Sequence, residues 1–474
     1  MKRLLLAGIA TAALIASASA ADIAKPVYKA PPAAPIHSWT GFYIGGGAGY
    51  GAYANVNQDF LAPLTSLHYS TGGKGWLGTL FAGYDYQLSD RWVAGVFADY
   101  DFSSIKGVHD SGLMPAAGNL KLTSAWAVGG RIGYLVTPST MFYAAAGYTE
   151  ADFNGVSYAH LTTFIPNGTQ NGFTSDGWFA GVGAETRLAS NWYARLEYRY
   201  ADYGSQRLTV SPPNPLPVFS TEIEPTVQTV RAGVSYKFGA SATANAPVYN
   251  APVAMLAYSW TGFYVGGGVG YGAYTTEDNS LFTSSGAPVT GPSSSAGKGW
   301  LGTVIAGYDV QFTDRWVIGI FADYDFTSIK GEHNNLLFAG AGTLKQESAW
   351  AVGGRLGYLV TPATLLYATA GYTEADFSGV TYSFLFAPTV VGFQNGATYD
   401  GWFVGLGAET QLTANWYARL EYRYADYKPG RTTLFDIAGA PVGFDNSTEQ
   451  TMQTVRAGLS YKFVTGKAPV VAKY

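Results

Sequence analysis

The sequence predicts an all-β protein: two tandem eight-stranded antiparallel transmembrane β-barrels joined by a Pro/Ala-rich linker. Three observations carry this prediction. The chain is written twice, at an offset of 221 to 225 residues. Each copy alternates apolar and polar residues with period two, and its connectors alternate between short and long.

Repetition comes first, because it sets the domain count. Ser38-Trp39-Thr40-Gly41-Phe42-Tyr43 returns as Ser259-Trp260-Thr261-Gly262-Phe263-Tyr264, and Ser124 to Phe153 returns at Ser348 to Phe377. Gln228 to Phe238 recurs at Gln453 to Phe463. A period this long means a duplicated domain, with barrels expected over 38–238 and 259–463. Pro/Ala-rich tethers precede each copy at 21–37 and 239–258, and a tail follows at 464–474. Fully extended, the middle tether reaches on the order of 60 Å.

Within a copy, Val230, Ala232, Val234, Tyr236 and Phe238 share one face, while Arg231, Gly233, Ser235 and Lys237 share the other. Likewise Ala194, Leu196, Tyr198 and Tyr200 alternate with Arg195, Glu197 and Arg199; a helix would scatter these charges around its circumference. Eight such segments fall near 41–52, 74–87, 91–102, 123–136, 140–153, 175–188, 191–203 and 227–238, with eight more at matching positions. Each approaches the roughly 9–11 residues of a tilted membrane-spanning strand. Short turns at 88–90, 137–139 and 189–190 alternate with long polar loops near 53–73, 103–122, 154–174 and 204–226. That asymmetry predicts short periplasmic turns and long extracellular loops.

Tryptophans mark the two predicted interfaces. Trp92 and Trp192 open strands at the short-turn side, and Trp76, Trp126 and Trp178 at the loop side, with counterparts Trp316, Trp416, Trp300, Trp350 and Trp402. All lie on the apolar face, as aromatic girdles require. A soluble lipocalin-like barrel would turn its apolar residues inward instead.

The first twenty residues predict export. Lys2 and Arg3, an apolar run from Leu4 and the small residues Ala18-Ser19-Ala20 read as a signal peptide over 1–20. The chain is only 13% charged, against about 25% in typical globular chains, yet no apolar stretch long enough for a membrane helix follows. Formal charge is −4, or −6 without Lys2 and Arg3, and no basic stripe points to nucleic acid. Absence of cysteine excludes disulfides, thiolate metal sites and a cysteine nucleophile.

The opening strand Ser38 to Gly46 and the closing strand Arg231 to Phe238 resemble those of alphaproteobacterial porin-family small outer-membrane β-barrels of the opacity and surface-antigen type. The resemblance covers nearly all of the chain after residue 20, twice. It implies a Gram-negative outer-membrane location, contact with outer-membrane lipid and lipopolysaccharide, and insertion by the barrel-assembly machinery. That machinery reads a closing aromatic residue, matched here by Phe238 and Phe463, neither of which is terminal.

Alternation directs a set of charges into the lumen. Copy one contributes Asp85, Arg91, Asp99, Asp101, Arg131, Glu185, Arg187, Arg195, Glu197, Arg199, Arg231 and Lys237, five acids against seven bases. Copy two contributes Asp309, Arg315, Asp323, Asp325, Arg355, Glu409, Arg419, Glu421, Arg423, Arg456 and Lys462, with Gln411 replacing Arg187. Eight strands enclose little more than side chains, so the expectation is a salt-bridge network rather than a gated path. Asp99 and Asp101 share a face as a hydrolase pair would, but Arg91 on that face favours ion pairing. Gly45-Gly46-Gly47-Ala48-Gly49 lacks phosphate-loop spacing and reads as a strand of small residues. His37, His68, His109, His160 and His333 are scattered, and the first four are read as lacking a histidine counterpart in copy two. No cofactor, metal or catalytic residue is expected.

Three functional classes follow. They are envelope structure and surface display with at most a narrow pore, transport through a merged sixteen-stranded porin, and recognition of a surface ligand by the outer loops.

Overall fold

The computed structural model describes residues 38–463 apart from 62–63, 112, 115, 214–217, 239–258, 284–291, 336–337, 339 and 385–388. The expected signal peptide, both Pro/Ala-rich tethers and the C-terminal tail lie outside the described residues.

The first copy is built of Gly41–Leu61 (β1), Leu64–Gln87 (β2), Trp92–Ser103 (β3), Lys106–Asp110 (β4), Ala116–Thr137 (β5), Thr140–Phe153 (β6), Val156–His160 (β7), Pro166–Gln170 (β8), Phe173–Ala189 (β9), Trp192–Asp202 (β10), Gln206–Ser211 (β11) and Phe219–Lys237 (β12). Eight of these close a ring in the order β1-β2-β3-β5-β6-β9-β10-β12, sealed by antiparallel pairing of β1 with β12 from Tyr43↔Lys237 to Phe60↔Ser220. The second copy repeats the plan and closes on itself from Phe263↔Phe463 to Thr283↔Phe444. Among the described residues no strand of one ring pairs with a strand of the other, and each ring closes on itself, which excludes the merged sixteen-stranded reading.

Alternation places the faces as the period-two pattern implies. Along β10, Tyr193, Arg195, Glu197 and Arg199 are buried inside, while Trp192 is half exposed outside. The lipocalin-like alternative fails on the outer surface, where Ile44, Leu80, Val96, Val128 and Val234 are exposed.

Two aromatic belts bound that surface. At the short-turn end Trp92 packs on Tyr134 (5.2 Å between ring centroids), Trp192 on Tyr236 (5.3 Å) and Phe42 on Tyr84 (4.7 Å). At the loop end Trp76 packs on Tyr50 (5.1 Å), Trp126 on Tyr148 (5.4 Å) and Trp178 on Tyr200 (5.8 Å). From Trp192 to Tyr200 the chain rises about 26 Å along the strand. A strand tilt of about 40° shortens this to about 20 Å along the membrane normal, within the ~25 Å apolar band of membrane barrels.

The expected long loops are not loops throughout. The 53–73 segment continues the β1–β2 ladder, with Ala54↔Gly72 and Asp59↔Leu67 in register, and the other three carry β4, β7, β8 and β11. Beyond the apolar band neither face needs apolar residues, so the alternation fades there while the backbone hydrogen bonds still form a ladder.

The rings meet side by side through outward side chains. Ser70 Oγ donates to the carbonyls of Ala296 (3.3 Å) and Glu332 (2.5 Å), and its counterpart Ser294 Oγ donates to those of Gly72 (3.2 Å) and Val108 (2.6 Å). Tyr50 packs on Tyr424 at 5.3 Å, and reciprocally Tyr271 packs on Tyr200 at 5.8 Å. At the short-turn end the counterparts Thr140 and Thr364 face each other at 3.3 Å. Such reciprocity defines an isologous, pseudo-twofold interface. Each end meets its like, so both barrels point the same way. The contact buries outward-facing Gln228 and Gln453, which accept hydrogen bonds from Tyr198 (2.9 Å) and Tyr422 (3.0 Å).

Candidate functional site: the charged lumen

The lumen charges form two tiers in each barrel. In the lower tier of the first barrel, Arg131 grips Asp85 with two hydrogen bonds of 2.9 and 2.6 Å and reaches Glu185 at 2.8 Å. Lys237 donates to the same Asp85 at 2.6 Å. Above it, Arg199 grips Asp99 at 3.0 and 2.6 Å and touches Glu197 at 2.9 Å. Arg195 bonds Glu197 at 2.8 Å, and Arg231 pairs with Asp101 and, at 3.5 Å, with Asp99.

The second barrel repeats the pattern. Arg355 holds Asp309 and Glu409 (2.7 Å), and Lys462 adds a 2.7 Å contact to Asp309. Arg423 holds Asp323 (2.6 Å) and Glu421 (3.0 Å), Arg419 bonds Glu421, and Arg456 bonds Asp325. Bidentate guanidinium–carboxylate pairs are strong and directional, and buried charge persists only when paired in this way.

Arg91 and Arg315, expected in the lumen, do not join either network. Both are exposed in the turn before a strand and donate to outward tyrosines, Arg91 to Tyr134 at 2.7 Å and Arg315 to Tyr358 at 2.9 Å. The strands start at Trp92 and Trp316, so the alternation does not extend back to them. Arg187 stands half-buried at the mouth, outside the network. Removing two bases from the expected seven leaves five against five acids, and the lumen is formally neutral.

Several contributors escaped the sequence reading. Trp39 is fully buried and stops the short-turn mouth, its indole donating to the Pro138 carbonyl at 3.1 Å and the Lys237 ammonium lying 4.7 Å from its ring. Trp260 does the same with Pro362 and Lys462. Tyr143 accepts from Arg195 (2.7 Å) and donates to Glu197 (2.8 Å). Aromatic faces cover the remaining cations, Arg195 lying 4.6 Å from the Phe81 ring and Arg199 4.1 Å from Phe179. Glycine makes room for the lower tier: a Cβ at Gly95 would meet an Asp85 carboxylate oxygen at 2.2 Å, and one at Gly319 would meet Asp309 likewise.

The cavities left within the lumens hold about 10–20 Å³ each, room for roughly one water. Asp99 and Asp101 are both committed to arginines. Among the described residues no cluster of three or more His, Asp or Glu has metal-site geometry. Contrary to the expectation that it stands alone, His109 has a counterpart in the second copy, His333. Each accepts or donates at Nδ1 to a hydroxyl of the neighbouring strand, Thr71 at 3.1 Å and Ser295 at 3.0 Å.

All ten girdle tryptophans are outward, and the closing residues Phe238 and Phe463 are half exposed at the short-turn rim. The chain resembles several known proteins. The chain is 33% identical over 256 residues to a 31 kDa outer-membrane immunogenic protein of Brucella melitensis, covering 50% of this chain and 100% of that one. It is 29% identical over 179 residues to a 22 kDa outer membrane protein of Rhizobium leguminosarum, covering 37% of this chain and 69% of that one. The solved structure of OprG from Pseudomonas aeruginosa aligns with 44% of this chain and all of its own at 14% identity, with a TM-score of only 0.30. The family described as outer membrane protein beta-barrel domain matches twice, at residues 8–238 and 240–463. The chain therefore belongs to that family, as a tandem pair of alphaproteobacterial-type barrels located in the outer membrane.

Proposed function

We propose that the protein is a structural and surface-display component of the outer membrane, not an enzyme and not a general diffusion pore. The filling of each lumen carries this reading: five acids neutralise five bases, a tryptophan stops one mouth, and the lumen cavities found among the described residues hold only about 10–20 Å³ each. A solute would have to break bidentate ion pairs to pass. The strand-rich ends beyond the Trp76 belt would then be the part offered to the outside, which fits relatives named as immunogenic outer-membrane proteins. Insertion through the barrel-assembly machinery and contact with lipopolysaccharide belong to the same proposal.

Planar-bilayer recording on the refolded full chain tests it. The expected record shows no steady channels above the lipid background; reproducible conductance steps or sugar permeation into vesicles would overturn the reading. Exposure is tested separately, because the chain lacks cysteine. Ala438→Cys, in the turn closed by Asp436, is expected to react with an impermeant maleimide on intact cells.

A further inference from the structure

The two barrels do not fit flush. Beside the Thr140–Thr364 contact, a groove of about 420 Å³ separates them. Ala184, Leu196 and Ala232 form one wall, and Leu356, Leu366 and Leu406 form the other. Trp316 and Tyr358, in the short-turn belt of the second barrel, also line it and set its depth. The groove therefore occupies the periplasmic half of the apolar band and opens sideways into the bilayer.

Water cannot fill this space. At about 30 Å³ per molecule in the liquid, more than ten waters would sit against walls with almost no polar partner, and apolar cavities stay dry. The protein does not fill it either, since much of the first barrel's wall is alanine and glycine. Hydrocarbon is the remaining occupant, and the surrounding leaflet supplies it. Arg315 adds a charge at that depth. Its guanidinium donates one bond to Tyr358 at 2.9 Å, 5.8 Å from the ring centroid, and its remaining donors suit a phosphate.

We propose that the groove binds one phospholipid of the periplasmic leaflet, with an acyl chain between the barrels and its phosphate at Arg315. The isologous contact and the lipid together would hold the two barrels as one body.

The test uses the purified full chain in detergent with added phosphatidylglycerol, read by native mass spectrometry. One lipid is expected to survive on the folded chain at detergent levels that strip the rest. Ala232→Trp, which fills the groove, is expected to abolish retention. Gly78→Trp, placed on the outer face where an added Cβ meets nothing within 4 Å, is expected to leave it unchanged. Arg315→Gln, at an exposed position that does not threaten folding, is expected to weaken retention roughly ten-fold. Heat-modifiable gel mobility verifies that each variant is folded. Absence of a retained lipid, equal retention by Ala232→Trp and Gly78→Trp, or retention of lipopolysaccharide in preference to phospholipid would each overturn the proposal.

Discussion

The two copies agree inside the membrane and diverge beyond it. In the lumen, Arg199–Asp99 and Arg423–Asp323 both measure 2.6 Å, and Arg131–Glu185 matches Arg355–Glu409 at 2.8 against 2.7 Å. Past the loop-end belt the same fold carries different chemistry. His333 faces Asp278 at 3.5 Å, but Asn57 stands at the equivalent place in the first copy and bonds Thr71 instead. The buried Asp110 beside His109 corresponds to Asn334. The difference follows from the solvent. Within the bilayer a lumen charge has no recourse but its partner, so changing one member demands changing several. Outside it, water and loop rearrangement absorb single changes.

The largest test of that contrast removes a lumen cation. Arg131→Ala leaves Asp85 and Glu185 buried with only Lys237 to neutralise them. Breaking a buried pair from one side costs about 3–5 kcal/mol. Urea titration in lipid vesicles, followed by loss of the heat-modifiable gel band, is expected to show the first barrel unfolding early and the second unmoved. Arg355→Ala should give the mirror result. If either variant destabilised both barrels equally, the copies would unfold as one unit, and an unchanged titration would refute the network's structural role.

Much of this was legible because alternation is a strict code. Once Arg195, Glu197 and Arg199 fall on one parity of β10, the fold has no choice about where they point. Tryptophans on the opposite parity gave the belts, and the turn residues gave the ring. The code lapses at its ends, which is why alternation assigns Arg91 to the lumen and leaves Trp39, two residues before β1, unmarked as a stopper. It is also silent on partners. Gln228 sits on an apolar face for a reason visible only when the second barrel covers it. Nor does a residue type announce that Gly95 exists to admit the Asp85 carboxylate.

Facing itself can be challenged with neighbours on β12. Val234 is half exposed between the belts, whereas Ser235 is fully buried in the lumen. Val234→Arg places a charge against lipid, at a cost of roughly 2–4 kcal/mol near mid-bilayer and less toward the rim. Ser235→Arg acts through crowding and a sixth cation against five acids. A series of vesicles of increasing acyl-chain length distinguishes them: the Val234→Arg penalty should grow with thickness, and the Ser235→Arg penalty should not. Identical responses would contradict the facing.

The smallest effect lies at the loop end, where the copies differ. Burial pushes the Asp110 carboxyl well above its usual range, opposed only in part by the Ser294 backbone, and no side chain donates to it. A carboxyl raised on folding favours the folded state below its unfolded value and loses that contribution as pH rises. Asp110→Asn, the residue the second copy carries there, should therefore stabilise this end at neutral pH by about 1–2 kcal/mol. His109 runs the other way. Burial pushes its imidazole down to about 4, so its contribution is whole above about 6.5 and is lost as pH falls from there toward 4. Hydrogen exchange of Lys106–Asp110 is the measurement. In Asp110→Asn, protection of that strand should fall as pH drops from 6.5 to 4, and adding His109→Phe should flatten the profile. Protection that instead rose on acidification in Asp110→Asn would show that a group other than His109 governs this end of the barrel.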